Sequence, residues 1–188
     1  HPVSIVKIAR WDLRVRKRLV GADKGIAVAC ELSEPSSVRA AVEAVRALNI
    51  KIDGLIANAG IMALPKLETK HGYELQFFTN HVGHFILVTG LLETLAEDGR
   101  VVMLSSVAHK QAYRAGIQLD NLDGARGYTS WGAYGQSKLA NLLFDSALDL
   151  IERAFFTIVV NHENSPVLCS RAVDDRPDTN KAYRCNGD

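Results

Sequence analysis

Short apolar runs rich in β-branched residues alternate with longer stretches of helical period along this chain. "VSIVKIA" (3–9), "GIAVAC" (25–30), "IDGLIAN" (52–58), "RVVMLSS" (100–106) and "FFTIVV" (155–160) read as strands, each short enough to lie inside a sheet. Between them, Trp11, Val15 and Leu19 share one helical face, and "SEPSSVRAAVEAVRAL" opens with Ser33, Glu34 and Pro35, where a cap and an early proline belong. Further helices are predicted over about 68–95 and about 131–151. Such alternation is the sequence form of βαβ units, so the expected fold is α/β: a Rossmann-like, doubly wound parallel sheet. One domain is expected over 1–160. From about Asn161 the apolar period fades into polar and turn-forming residues, which predicts an irregular or disordered tail over 161–188.

Composition narrows the partners. Of the 188 residues 47% are apolar and 23% charged, enough for one sizeable core. Lys plus Arg number 22 against 21 for Asp plus Glu, a net charge of +1, so no global field draws the chain to nucleic acid or anionic lipid. Small, neutral ligands fit best. The basic run "RVRKR" (14–18) reads as a solvated helix face. No apolar run reaches the ~18 residues of a membrane span. Cys30, Cys169 and Cys185 have neither zinc-type nor CxxC spacing, which predicts reduced thiols and a cytoplasmic setting. The first residue is His1 rather than methionine, so an incomplete or processed piece of a longer protein is expected.

Chemistry concentrates in a few places. In "YGQSKLANLLF" (134–144) Tyr134 and Lys138 are four apart and share a helical face. A free tyrosine titrates near ~10, and a neighbouring cation favours its phenolate, so the pair could exchange protons near neutral pH. "RVVMLSS" ends in Ser105 and Ser106, and in an open parallel sheet the functional crevice lies beyond the carboxyl ends of the strands. A second strand ends in Asn58, Ala59 and Gly60, small enough to let a ligand approach the backbone. "FFTNHVGHF" sets Asn80 among apolar positions, where a buried amide needs hydrogen-bond partners. His81 and His84 could be read as metal ligands, but no third ligand accompanies them and no metal is expected. Trp131 reads as packing or as a contact at the rim of the site.

In this order the four pieces resemble the short-chain dehydrogenase/reductase family over roughly residues 25–150. The wording "YELQFFTNHVGHFILV", "VVMLSSVAHK" and "AYGQSKLANLLF" is similar to its retinol dehydrogenase and WW-domain oxidoreductase branch. The resemblance implies an NADP or NAD cofactor. It implies that Tyr134 exchanges a proton with the substrate oxygen, that Lys138 holds the cofactor ribose and lowers the Tyr134 pKa, and that Ser106 hydrogen-bonds the reacting oxygen. It also implies that Asn80 supports a water chain, that Asn58 and Gly60 stiffen the sheet beside the cofactor, and that Glu31 stands where an aspartate usually meets the adenine. A homodimer through the two long helices is a further implication.

The family's opening TGxxxGxG turn is not found. "VSIVKIA" then reads as the second strand, with Arg10 at its end where a basic residue favours NADP, and the first βα unit is missing from the centre of the sheet. The alternative is that it is the first strand, although "RWDLRV" follows it without a glycine. Beyond the last strand Glu163 and Asn164 stand where a Pro-Gly turn and a lid are expected. Two functions therefore compete. One is an NAD(P)-dependent oxidoreductase interconverting an alcohol and a carbonyl on a small apolar substrate; the other is a catalytically silent relative serving as a binding scaffold.

Overall fold

The structure, a computed structural model, describes residues 26–149, 155–162, 165–170 and 184–185. The predicted strand 3–9, the helical face of Trp11, Val15 and Leu19, and Arg10 lie outside these residues.

Helix α1 (Pro35–Arg46) starts at a proline, whose fixed φ suits a first turn, and buries Val38, Ala41, Val42 and Val45 at helical spacing. Its cap position is Glu34, whose carboxylate makes no cap bond and turns instead to Lys70 and His71 across the surface. Strand β1 (Ile52–Ala57) follows, then a small antiparallel pair, β2 (Thr69–Lys70) and β3 (Tyr73–Glu74). Helix was expected from about 68. His71 and Gly72 carry positive φ values of 53° and 81°, which a helix cannot continue through, and the chain reverses there.

Helix begins only at α2 (Leu75–Phe77), capped by the Glu74 carboxylate, which accepts from the Phe77 amide at 2.8 Å. A π turn over Phe78–Val82 leads into α3 (Gly83–Leu91). Strand β4 (Leu95–Ser106) is longer than its expected core. Helix α4 (Ser130–Asp149) matches the expected span to within two residues. Strand β5 (Phe155–His162) completes a parallel set in which β4 lies between β1 and β5.

Both crossovers step the same way along the sheet, and right-handed connections then put α3 and α4 on one face. There they meet α1 over a core of Val38, Val42, Leu55, Leu87, Val88, Leu91, Val101, Met103 and Phe144. The opposite face has no helix among the described residues: Ile56 is exposed, and Val102 and Leu104 are half-buried.

Two further expectations need correction. Residues 26–30 form no strand among the described residues; a strand exists only through its ladder, and the partner expected for this one, the segment 3–9, lies outside them. The stretch expected to be irregular from 161 instead carries β6 (Ser165–Ser170), antiparallel to β5, and β7 (Arg184–Cys185), antiparallel to β6. Polar and turn-forming composition hid a hairpin whose ladder runs between main-chain groups that any residue type can supply.

Gly83 ties the turn before α1 to α3, since a Cβ at that position would run into the Leu32 carbonyl. Glycine to alanine in an ordinary helix adds up to about 1 kcal/mol of stability. Gly83→Ala is expected to do the reverse and lose about 1–3 kcal/mol by overpacking, measured by chemical denaturation.

Candidate active site

Three strand and loop ends converge at the carboxyl edge of the sheet. Ser105 and Ser106 close β4 and, as neighbours in a strand, point to opposite faces. The Ser105 hydroxyl donates to the Lys138 main-chain carbonyl at 2.9 Å and so fastens α4 to the strand. Ser106 begins a short 3-10 turn over Val107–Gln111, accepting from the Ala108 amide at 3.2 Å. Gly135 lets α4 lie against that turn, because a Cβ there would strike the Ala108 carbonyl. This close approach brings Tyr134 to Ser106.

Tyr134 and Lys138 share the inward face of α4, as their spacing requires, and both are buried. The Lys138 ammonium sits 5.7 Å from the centroid of the Tyr134 ring and donates to the Leu104 carbonyl at 3.1 Å. The expected depression of the tyrosine pKa is not what this geometry gives. Burial raises the Tyr134 phenol above its usual value, with the Ser106 hydroxyl pulling it partly back. The ammonium lies over the ring and bonds to the Leu104 carbonyl. Lys138 is itself driven down to about 8 by desolvation.

Asn80 lies in the π turn and is wholly buried. Its side-chain oxygen accepts from the Ile61 amide at 2.8 Å, and its nitrogen donates to the Ile61 carbonyl at 2.9 Å and to Ser137 Oγ at 3.0 Å. Both N–H groups are thus used in holding the 58–61 loop to α4. The main-chain carbonyl of Asn80 accepts from His84 Nδ1 at 2.8 Å. Gly60 follows Asn58 and Ala59 just beyond β1, and a Cβ on it would lie 2.8 Å from Asn80 Oδ1 and 3.8 Å from Lys138 Nζ. Bare backbone therefore runs beside the ammonium.

The structure brings Ser106, Tyr134, Lys138, Asn80 and Gly60 together. The Glu31 carboxylate accepts from the Ser33 amide and hydroxyl at 3.4 and 3.0 Å, bracing the turn before α1. His81 and His84 are committed to Asn141 and to the Asn80 carbonyl, and among the described residues no group of three or more ligand types could hold a metal. Sequence reasoning passed over Asn141. Its signal was an amide three residues after the lysine, on an otherwise apolar run.

The profile of the short chain dehydrogenase family matches residues 12–161. The chain belongs to that family. Among the relatives of this family member are the chloroplastic short-chain dehydrogenase TIC 32 A of Brassica napus, 43% identical over 125 residues, and retinol dehydrogenase 12 of Mus musculus, 46% identical over 120 residues. Each match covers 63% of this chain but only 39% and 37% of the relative, so the chain spans about two fifths of the length of these proteins. An uncharacterized protein of Mycobacterium paratuberculosis superposes with a TM-score of 0.65 at 34% identity, covering 81% of this chain and 57% of that one. The NADPH-bound carbonyl reductase of chicken fatty liver shares the fold, with a TM-score of 0.55 at 20% identity over 77% of this chain and 60% of that one.

A lysine whose pKa in the fold, about 8, lies below its unfolded value near ~10.5 binds fewer protons folded than unfolded between those limits. The burden of burying the charge is therefore full below pH 8 and fades as the pH rises to about 10.5. Lys138→Met is expected to stabilise the chain at pH 7 by up to about 3 kcal/mol and to lose that gain near pH 10.5, as read from paired urea denaturations.

Proposed function

We propose that this chain is the catalytic part of an NAD(P)-dependent oxidoreductase that interconverts an alcohol and a carbonyl. The observation that carries the reading is the convergence of Ser106, Tyr134 and Lys138 with the Asn80–Gly60 loop at one end of the sheet. A nicotinamide cofactor supplies or takes up the hydride in such a reaction. The residues present fit its ribose end: a buried ammonium beside bare backbone at Gly60 suits hydroxyl groups, and a side chain at Gly60 would fill that space.

Tyr134 then holds the proton to be exchanged at its phenolic oxygen, and its raised pKa suits donation, the direction of carbonyl reduction. Ser106 aims a hydroxyl at the oxygen on which charge develops. Lys138 holds the ribose hydroxyls, and Asn80 keeps the 58–61 loop at the right distance from it. Trp131, half-exposed and packed edge-on against Tyr134 at 5.9 Å between centroids, gives the site an apolar wall. That wall favours a small apolar substrate. The names of retinol dehydrogenase 12 and of the human polyprenol dehydrogenase, 40% identical over 121 residues, agree with an apolar alcohol.

Fluorescence titration of the chain with NADPH and with NADH tests the reading; saturation at micromolar concentration is expected, and no binding by a folded chain would favour the silent scaffold. Where turnover is measurable, Tyr134→Phe is expected to lower kcat by about 100-fold or more while leaving cofactor binding intact. We further infer a homodimer through α3 and α4, where Phe85 and Leu143 stay 45% and 52% exposed beside Phe144. Size-exclusion chromatography should give twice the chain mass, and Phe85→Glu should return it to the monomer.

A further inference from the structure

Two side chains of α4 bond to one carbonyl. Lys138 Nζ donates to the Leu104 oxygen at 3.1 Å, and Asn141 Nδ2 donates to the same oxygen at 3.0 Å. A carbonyl oxygen has two lone pairs and can accept both. Asn141 is completely buried, so its amide must be satisfied from within. Because the Leu104 carbonyl can only accept, the amide nitrogen faces it, and Oδ1 is left to face His81 Nδ1 at 3.1 Å. His81 must therefore donate, which fixes its tautomer as Nδ1–H. Burial keeps the imidazole below its ordinary pKa, while the Asn141 amide oxygen pulls it partly back.

The ring of His81 is itself held among Phe77, Phe85 and Phe144, with centroids 5.4, 6.5 and 5.9 Å away. Aromatic packing on α2, α3 and α4 thus aims the imidazole, the imidazole aims the amide, and the amide meets the carbonyl that anchors Lys138. The titratable groups that face the Lys138 ammonium are Tyr134 on its own helix and His84 on the helix across.

We propose that Asn141, aimed by His81, is a positioning residue for Lys138: it keeps the Leu104 carbonyl paired, so that the ammonium is free to leave that oxygen for the cofactor ribose. Without a second donor, the departure of Lys138 would strip that carbonyl of its side-chain partners, and the ammonium would be held back. The inference rests on the oxidoreductase reading for its purpose, though the shared carbonyl is independent of it.

The test follows Lys138 ionisation by NMR of the labelled lysine side chain in the full chain, beside NADPH titration. Asn141→Leu keeps the volume and removes the donor; His81→Phe keeps the ring and removes the N–H that aims the amide. Loss of the competing donor gives Lys138 sole claim to the carbonyl. Its pKa is expected to rise by about one unit in Asn141→Leu and by less in His81→Phe, with NADPH binding weakened about tenfold in the former. A role in packing alone would lower the melting temperature and leave the lysine titration in place, and an unchanged lysine pKa in either folded variant overturns the proposal. If the unaltered chain binds no NADPH, the oxidoreductase reading fails, and the lysine titration still decides this one.

Discussion

A buried ammonium governs the described part of this molecule. Lys138 is 5% exposed, and a charge withdrawn from water must find compensation from fixed dipoles or shed its proton. It receives little: one carbonyl from β4 and the face of the Tyr134 ring. The surrounding structure holds that position open. Ser105 fastens the lysine's own main chain, Gly135 brings α4 close to the end of the strand, and Asn80 sets the loop opposite. A site that a protein keeps under such strain of solvation is where perturbed ionisation and function tend to coincide.

The parts of this arrangement that follow from local spacing were legible in the sequence. The four-residue spacing of Tyr134 and Lys138 fixes a shared helical face whatever the tertiary context, and a strand ending in two serines fixes that one of them faces the crevice. That α3 and α4 share one face of the sheet follows from strand order and crossover hand. What escaped depended on contacts between distant segments. The start of the helix at 75 was set by positive φ at His71 and Gly72, although the residues on either side are compatible with helix. Strand β6 was hidden because ladders use main-chain groups, and residues 26–30 read as a strand because apolar content was present where the partner was not in the described residues.

The expectation for the Tyr134 pKa failed for a related reason. Sequence spacing tells that a cation is near, and it cannot tell whether the cation stands at the edge of the phenol or over its face, nor how dry the place is. Here dryness wins, because desolvation acts on every approach to a buried hydroxyl while the cation is directed elsewhere. The bond between Asn141 and His81 went unread for the complementary reason that nothing in an isolated amide or imidazole announces a partner sixty positions away.

The π turn at Phe78–Val82 has a consequence for how this helix can vary. A π turn holds one residue more than an α turn, and one residue is worth about 100° of rotation around the helix. The turn and the helix beyond it thereby face different neighbours: Asn80 and His81 within the turn look toward α4, while Gly83 and Gly90 beyond it look toward Leu32 and Val42. Deleting a single residue within 78–82 would restore a regular helix and turn the second half by that angle, so that bulky side chains met the places where glycines now pass. Such a helix tolerates many changes of side chain far more readily than a change of length.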